Sequence, residues 1–387
     1  MRNTICVLSI ATLFAPSCMS SAEQNPREPE QPVLQRFPER EAITAKLADL
    51  RKIHTPEGIE VLESLEIGGV QQAISIRGRN KSNPVLLLIH GGPGLPMIPY
   101  EWAFQSPWED FFTVVEWDQR GAGRSRASTE AQRAALAPTV TLRRIVDDAE
   151  EVVAYVRQTL HKNKIVVMGF SWGSEVGLHL IHDKPDWISA YVGVGQAAAA
   201  DGEKILFTRT VEMAKAAKNT EAIKELEALT PYPPAEGQFN VKSALAVRKW
   251  ARFYNGGWYG KPDFDLLFSL PDFAPEYTAE DVDGLMSALT WTEAQQVTRD
   301  MGTDDLLALG PNFKVPIFFF MGRYDLHTPY DGAKAFFDRI RAPSKRFVTF
   351  ERSSHFVMFE EPGRFLIELV NDVLPLTEGV AAYAPER

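Results

Sequence analysis

The chain has 387 residues, 45% hydrophobic and 24% charged, with 41 basic against 51 acidic side chains and a net charge of -10. The apolar share supports a large core and excludes a disordered chain, while the length favours two structural units over one. The acidic balance argues against general nucleic-acid binding, and two cysteines, Cys6 and Cys18, cannot build a disulfide scaffold, a zinc ribbon or an iron–sulfur site.

Both cysteines fall in a leader-like start. Met1-Arg2-Asn3 is weakly positive, and the apolar run Ile5 to Ala15 is too short to span a bilayer but suits a signal-peptide core. Ser20-Ser21-Ala22 offers small residues for cleavage before Glu23. Residues 1–22 are therefore expected to be a signal peptide, and the protein to be exported, periplasmic or secreted. The competing reading is a membrane-anchored lipoprotein, with Ala15-Pro16-Ser17-Cys18 as a poorly matching lipobox and a lipid anchor at Cys18. Cleavage at Ala22 would leave no thiol, which excludes a cysteine nucleophile. Residues 23–38 are polar and Pro-rich and read as a tether.

From Gly58 the periodicity changes. Ile59 to Ile67 and Val70 to Arg77 read as a hairpin turning at Gly68-Gly69. Val85 to Ile89 and Thr113 to Trp117 are largely apolar runs of the kind buried on both faces of a parallel sheet. From Leu142 to Leu160 apolar residues recur at steps of three and four, a helical stripe. Ile165 to Met168 is a further strand, and Tyr191 to Val194 follows another helix. This alternation predicts a wound, mostly parallel α/β sheet with helices on both faces.

Around Ala200 the alternation stops. Thr210 to Leu229 reads as one helix, Thr230-Pro231-Tyr232-Pro233-Pro234 breaks it, and helical stretches continue to about Ala308. Strands return at Val315 to Met321 and Arg346 to Glu351, and a helix follows Pro362. An α/β core, residues 39–199 and 309–387, interrupted by a helical cap, 200–308, is the simplest account. Residues 250–277 concentrate aromatic rings. Most of these pack the cap's own core, and Trp250 and Tyr254 are candidate walls of a substrate pocket.

The chemistry centres on Gly169-Phe170-Ser171-Trp172-Gly173, set between a buried strand and a helix. A sharp turn there needs small neighbours and holds the Ser171 hydroxyl clear of the backbone. A serine hydroxyl attacks only if a base takes its proton and a third group orients that base. Asp325, in Gly322-Arg323-Tyr324-Asp325, follows a strand, and His355 follows the last strand. His327 stands too close to Asp325 in sequence to face it across a site. Two N–H donors must meet the developing oxyanion, and these are assigned to Trp172 and to Gly92 in His90-Gly91-Gly92-Pro93-Gly94. His90 is read as structural, and Asp118 and Arg120 as residues that hold loops together. No H-E-x-x-H, P-loop or dinucleotide fingerprint is present, so neither metal nor cofactor is expected.

Together, His90 to Gly94, Asp118 to Ser125, Gly169 to Ser174 and Gly322 to Asp325 resemble the proline iminopeptidase branch of the α/β-hydrolases, over about 70–195 and 312–370. The resemblance implies an α/β-hydrolase fold with an inserted helical cap, a Ser171–Asp325–His355 triad and a Gly92–Trp172 oxyanion hole. It also implies release of an N-terminal residue, often proline, from short peptides. The chain departs from that family at Phe170, where a glycine stands, and at Glu175, where a threonine stands. The family's cap glutamates hold the substrate's amino group. The stretch Trp250-Ala251-Arg252-Phe253-Tyr254 lacks one, leaving Glu293 as the candidate anchor. An aminopeptidase, an esterase or amidase for a non-peptide small substrate, and a non-catalytic binding protein all remain open. The expected partner is a small peptide, ester or amide, with no nucleic acid and no transmembrane span; oligomeric state is not legible.

Overall fold

The central strands of the sheet are short apolar or β-branched runs, and the edge strands β1 (Ile59–Ile67) and β8 (Lys345–Phe350) mix polar with apolar residues. The computed structural model describes residues 39–377 apart from 199–200, 234–240 and 262. The leader, the tether and Cys18 lie outside the described residues. The strands are β1 (Ile59–Ile67), β2 (Val70–Gly78), β3 (Val85–Ile89), β4 (Thr113–Trp117), β5 (Ile165–Phe170), β6 (Ile188–Val194), β7 (Ile317–Gly322) and β8 (Lys345–Phe350). They lie side by side in the order β1-β2-β4-β3-β5-β6-β7-β8.

β1 and β2 form the antiparallel hairpin, with Ile67 opposite Val70. Its turn places Gly68 at φ +56° and Gly69 at φ +74°, the pair of left-handed conformations that a two-residue hairpin turn requires. β2 runs antiparallel to β4, and every later pairing is parallel. β3, β5, β6 and β7 are buried along their whole length. Alternate residues feed two cores. Leu87, Ile89, Val167 and Phe319 face one side with the helix Leu142–Thr159, and Leu86, Leu88, Val166 and Phe320 face the other with Trp108 and Phe365. The helix Leu142–Thr159 buries the expected stripe, including Ile145, Val146, Ala149, Val152, Val153 and Val156, and Thr141 caps it through Arg144 N–H at 3.2 Å.

Between β6 and β7 the chain leaves the sheet for a set of helices that includes Gly202–Ala216, Thr220–Glu227, Val241–Phe253 and Ala279–Glu293. The single helix expected over Thr210 to Leu229 is in fact two. Lys218 adopts φ +52°, and Asn219 starts the second helix by accepting Ala222 N–H at 3.1 Å. A capping asparagine outweighs the helical periodicity on either side of it.

No periodicity in the chain points to the helix Arg40–Arg51, which joins the inserted segment to the core. Arg40 Nη2 donates to Tyr277 O at 2.8 Å. Arg51 pairs with Glu101 at 2.9 Å and with Glu276, and its carbonyl accepts Arg77 Nη2 at 2.7 Å. Arg77 in turn pairs with Glu109 at 3.0 Å. Nearby, both oxygens of buried Glu116 lack a hydrogen-bond partner. Burial first, then the carboxylates of Glu101 and Asp118, hold the Glu116 pKa well above its ordinary range, so the group is kept neutral.

Two predictions follow from this buried cluster. Arg51→Ala takes the guanidinium from Glu276 and leaves Glu101 only the more distant Arg77 at 3.7 Å, and is expected to cost about 3–5 kcal/mol in chemical denaturation. Burial raises Glu101 from 4.5 and Asp118 from 3.8, each to about 7. The folded state therefore binds more protons than the unfolded one, and stability should fall as pH rises through that window. Glu116→Gln should make the unfolding midpoint less sensitive to pH; an unchanged slope would count against a titrating Glu116.

Candidate active site

The site forms at the C-terminal ends of the parallel strands, where a wound sheet opens a crevice. β5 ends at Phe170, and the helix Trp172–Asp183 begins two residues later. Ser171 between them adopts φ +53° and ψ −122°, a conformation that costs a non-glycine residue energy. The surroundings enforce it. Ser171 N–H donates to Val194 O at 2.9 Å, and Ser174 Oγ donates to Ser171 O while accepting Ala197 N–H at 2.9 Å. A Cβ on Gly173 would stand 2.1 Å from Ile89 O, so only glycine lets the helix settle on the sheet.

Asp325 and His355 arrive from the loops after β7 and β8 and meet in the interior. His355 Nδ1 donates to Asp325 Oδ2 at 2.9 Å, with both side chains at most 1% exposed. Asp325 also accepts His327 N–H at 2.9 Å, Thr328 N–H at 3.0 Å and Thr328 Oγ1 at 2.8 Å. This set fixes the carboxylate and, through it, the proton on Nδ1. His355 Nε2, on the far side of the ring, has no hydrogen-bond partner. The serine–imidazole bond is not made in this structure, as is common before substrate tightens a site. The Phe170 ring, beside Ser171 in sequence, lies 5.1 Å from the imidazole. His327 serves Asp325 through its backbone; burial first, and then His355, hold its own imidazole neutral.

Gly92 has φ +109°, and a Cβ there would stand 2.6 Å from the nitrogens of Gly94 and Leu95. The same turn lies on the nucleophile, since a Cβ on Gly91 would be 3.1 Å from Ser171 Cβ. Trp172 N–H occupies the first helical position, where no intrahelical acceptor exists. A polar chain ties these pieces together. Trp172 Nε1 donates to Gln119 Oε1 at 3.1 Å, Gln119 Nε2 to His90 O at 3.0 Å, and Gln119 N–H to His90 Nε2 at 3.0 Å. Burial pushes His90 down to about 4, so it stays neutral and donates from Nδ1 to Gly91 O at 2.9 Å. Asp118 accepts Tyr277 OH and Arg124 N–H, while Arg120 forms a two-pronged pair with Asp148, as their reading as loop anchors requires.

The cap residues divide. Glu293 is buried at the end of the helix Ala279–Glu293, beside Thr292, whose hydroxyl donates to Gly121 O at 3.2 Å and whose side chain abuts Gly94. That places Glu293 next to a residue touching the oxyanion turn. Trp250 lies inside the cap cluster with Leu206, Leu226 and Val247, its indole donating to Glu225 at 2.8 Å, and Tyr254 stacks against it. Both rings pack against other cap residues, Trp250 on Phe253 and Tyr254 on Phe253. Sequence reasoning missed Gln119, Thr328 and the pair Gly256-Gly257, which reaches the acid and histidine loops. Two adjacent glycines in a helical, ring-rich block were the available signal.

Ser171 is 8% exposed, and the crevice at the cap seam, lined by Leu206, Arg248, Ala251, Gly256, Leu326 and His327, holds about 10 Å³. A larger cavity of about 270 Å³, between Arg126, Arg133 and the helix face at Gly284 and Trp291, does not include the strand-end serine or histidine. Among the described residues no group of three or more His, Cys, Asp or Glu side chains is placed to hold a metal ion, and no helix is long and apolar enough to cross a membrane.

Residues 84–362 match the family model described as alpha/beta hydrolase fold. A probable aminopeptidase, YbaC, of Bacillus subtilis strain 168 is 28% identical over 311 residues, covering 80% of this chain and 95% of its own. A proline iminopeptidase of Neisseria meningitidis is 32% identical over 128 residues, which span 33% of this chain and 37% of that protein. The solved proline iminopeptidase of Mycobacterium smegmatis superposes with a TM-score of 0.54 at 17% identity, over 82% of this chain and 98% of that one.

The seating of the helix on the sheet is directly testable. Gly173→Ala forces a backbone clash and is expected to destabilise the protein by about 3 kcal/mol or more, read as a lower urea midpoint. A midpoint like the parent's would mean that the helix does not rest on β3 as described.

Proposed function

Because the chain belongs to the α/β-hydrolase family and is a hydrolase, we propose that it works as a serine hydrolase with Ser171 as nucleophile, His355 as general base and Asp325 as the group that orients His355. The observation carrying this reading is the buried 2.9 Å bond from His355 to Asp325, which leaves Nε2 unpartnered on an imidazole 5.1 Å from the ring of Phe170, the residue before the strained Ser171. In the first step Nε2 takes the Ser171 proton as Oγ attacks the substrate carbonyl, and the imidazolium is stabilised by Asp325. The oxygen turned anionic is met by the N–H groups of Gly92 and Trp172. His355 then returns the proton to the departing amine or alkoxide, leaving an acyl-Ser171 that water hydrolyses by the same route.

We assign the leaving group to a short peptide, making the protein an aminopeptidase of the proline iminopeptidase type. The likeness to a probable aminopeptidase across nearly its whole length supports this choice. In this reading Glu293 holds the substrate's free amino group. One observation favours an esterase or amidase instead: the stretch from Trp250 to Tyr254 carries no carboxylate, and its rings serve the cap's own packing. We further place the enzyme outside the cytoplasm, on the strength of the apolar run Ile5 to Ala15 and the small residues before Glu23.

A fluorophosphonate probe should label the wild type at Ser171 and fail on Ser171→Ala; an unlabelled wild type would remove the serine mechanism. With labelling in hand, a panel of aminoacyl anilides and short-chain esters decides the substrate. Turnover of free-amine anilides with rejection of their N-acylated forms is expected. Turnover of esters alone would transfer the assignment to an esterase. Glu293→Gln should raise KM for free-amine substrates by about 10-fold or more and spare neutral esters, since only the former lose a charge-assisted hydrogen bond. Export is tested by the N-terminus of protein recovered outside the cytoplasm, which should begin at Glu23.

A further inference from the structure

The histidine loop is fastened from two sides. After β8 the chain turns through residues 351–356 and enters the short helix Val357–Glu360. Glu361 secures the first half of that turn within the core, accepting Arg352 N–H at 3.0 Å and Ser353 Oγ at 2.8 Å. The second half is joined to the cap. His355 N–H donates to Gly257 O at 3.1 Å, and Leu326 N–H, one residue past Asp325, donates to Gly256 O at 3.0 Å. The backbones come this close because neither cap residue has a side chain. A Cβ on Gly256 would stand 2.8 Å from Leu326 Cδ1, and one on Gly257 2.9 Å from Phe264 Cζ.

One carboxylate completes the junction. Glu360 Oε1 accepts Tyr259 N–H from the cap at 2.5 Å, and Glu360 Oε2 accepts Ser354 N–H at 2.9 Å. Trp258, between these cap donors and acceptors, packs on Phe356 at 5.4 Å and on Phe359 at 6.0 Å. Acid loop, base loop and cap turn therefore share one set of backbone bonds.

We propose that Glu360 is a positioning residue for His355, holding the imidazole in register with Asp325 when the cap turn at 256–259 is seated. This rests on the catalytic role proposed for His355. The physical requirement is two acceptors at once, which a carboxylate supplies and an amide or a protonated acid does not. Titration bears on it. Burial, with a contribution from Asp325, raises Glu360 from 4.5 to about 8, against the pull of the N–H groups of Tyr259 and Ser354. The other titratable groups about this junction are His355 and Tyr324 on the neighbouring loops, Glu361 on its own helix, and Tyr259 and Lys261 on the cap, Lys261 lying 5.9 Å from the Trp258 ring. Deprotonation restores the second acceptor, so kcat should climb through a step near pH 8 that Glu360 supplies.

The test compares wild type, Glu360→Gln and Glu360→Asp on an aminoacyl anilide and a short-chain ester across that range. Glu360→Gln should lower kcat by about 10- to 100-fold on whichever substrate the enzyme turns over, change KM by less than about 2-fold, and erase the upper step of the pH profile. Glu360→Asp, which keeps both acceptors, should recover part of kcat and the step. Should Glu360→Gln fail to fold, Tyr259→Pro, which takes away the cap N–H together with the Tyr259 ring and its packing on Tyr324, should lower kcat in the same way. A parental kcat and pH profile in Glu360→Gln, or in Tyr259→Pro where that variant stands in, overturns the proposal. So does a loss matched by an equal loss of folded protein. A wild type that the fluorophosphonate does not label rejects the serine mechanism instead; labelled wild type with unaltered variants rejects this inference alone.

Discussion

Everything at the site depends on how closely one helix approaches one strand. The backbone at Gly173 rests against the Ile89 carbonyl, nearer than any side chain would allow. That contact fixes where the helix Trp172–Asp183 starts, and its start leaves β5 a single residue in which to reverse. Ser171 takes up the reversal and the strain. The same contact brings the His90–Gly94 turn over the serine, because that turn is the direct continuation of β3. Nucleophile and oxyanion donors are thus placed together by one backbone packing event, and the Gln119 network then holds them in place.

Around this centre the protein spends polar interactions freely in its interior. Arg51, Arg77, Glu101 and Glu109 are all nearly inaccessible, and each finds an opposite charge. Such clusters repay little net stability, since desolvation offsets most of the attraction. Their geometry is nonetheless demanding, and only one seating of the helix Arg40–Arg51 against residues 274–277 satisfies it. The cluster therefore sets the position of the cap end more than it stabilises the fold. On the opposite side, the turn at Gly256-Gly257 sets the other end through the loops of Asp325 and His355.

Much of this was legible in the chain, and the reason differs by element. β3, β5 and β7 are continuous apolar runs stopped by glycine or polar residues, so burial on both faces could be read directly. Ser171 and Asp325 follow the ends of such runs, and His355 follows β8, a strand of mixed polarity, so their position in a wound sheet followed from the strands. The helix Arg40–Arg51 was hidden because its partners are distant in sequence and its apolar pattern is weak; its anchoring is by charge. The break at Asn219 was obscured by good helix formers on both sides. Trp250 and Glu293 show the limit most plainly. Both are large residues of the cap, and only packing could reveal that one lies within the cap's cluster while the other follows Thr292, whose side chain abuts the oxyanion turn. The bond from Tyr259 to Glu360 had no sequence signal at all.

The clasp formed by the first described helix also has a consequence for the order in which the chain can fold. Arg51 emerges early in synthesis, yet Glu276, one of its partners, follows 225 residues later. Until that stretch has been made, Arg51 lacks Glu276, although its pair with Glu101 and the pairs of Arg77 with Glu60 and Glu109 join residues already synthesised. Contacts of such long sequence separation close late. The seating of residues 274–277 against the helix Arg40–Arg51 therefore belongs to the last contacts to close, after the hairpin and the residues around Glu101 have joined their own charges.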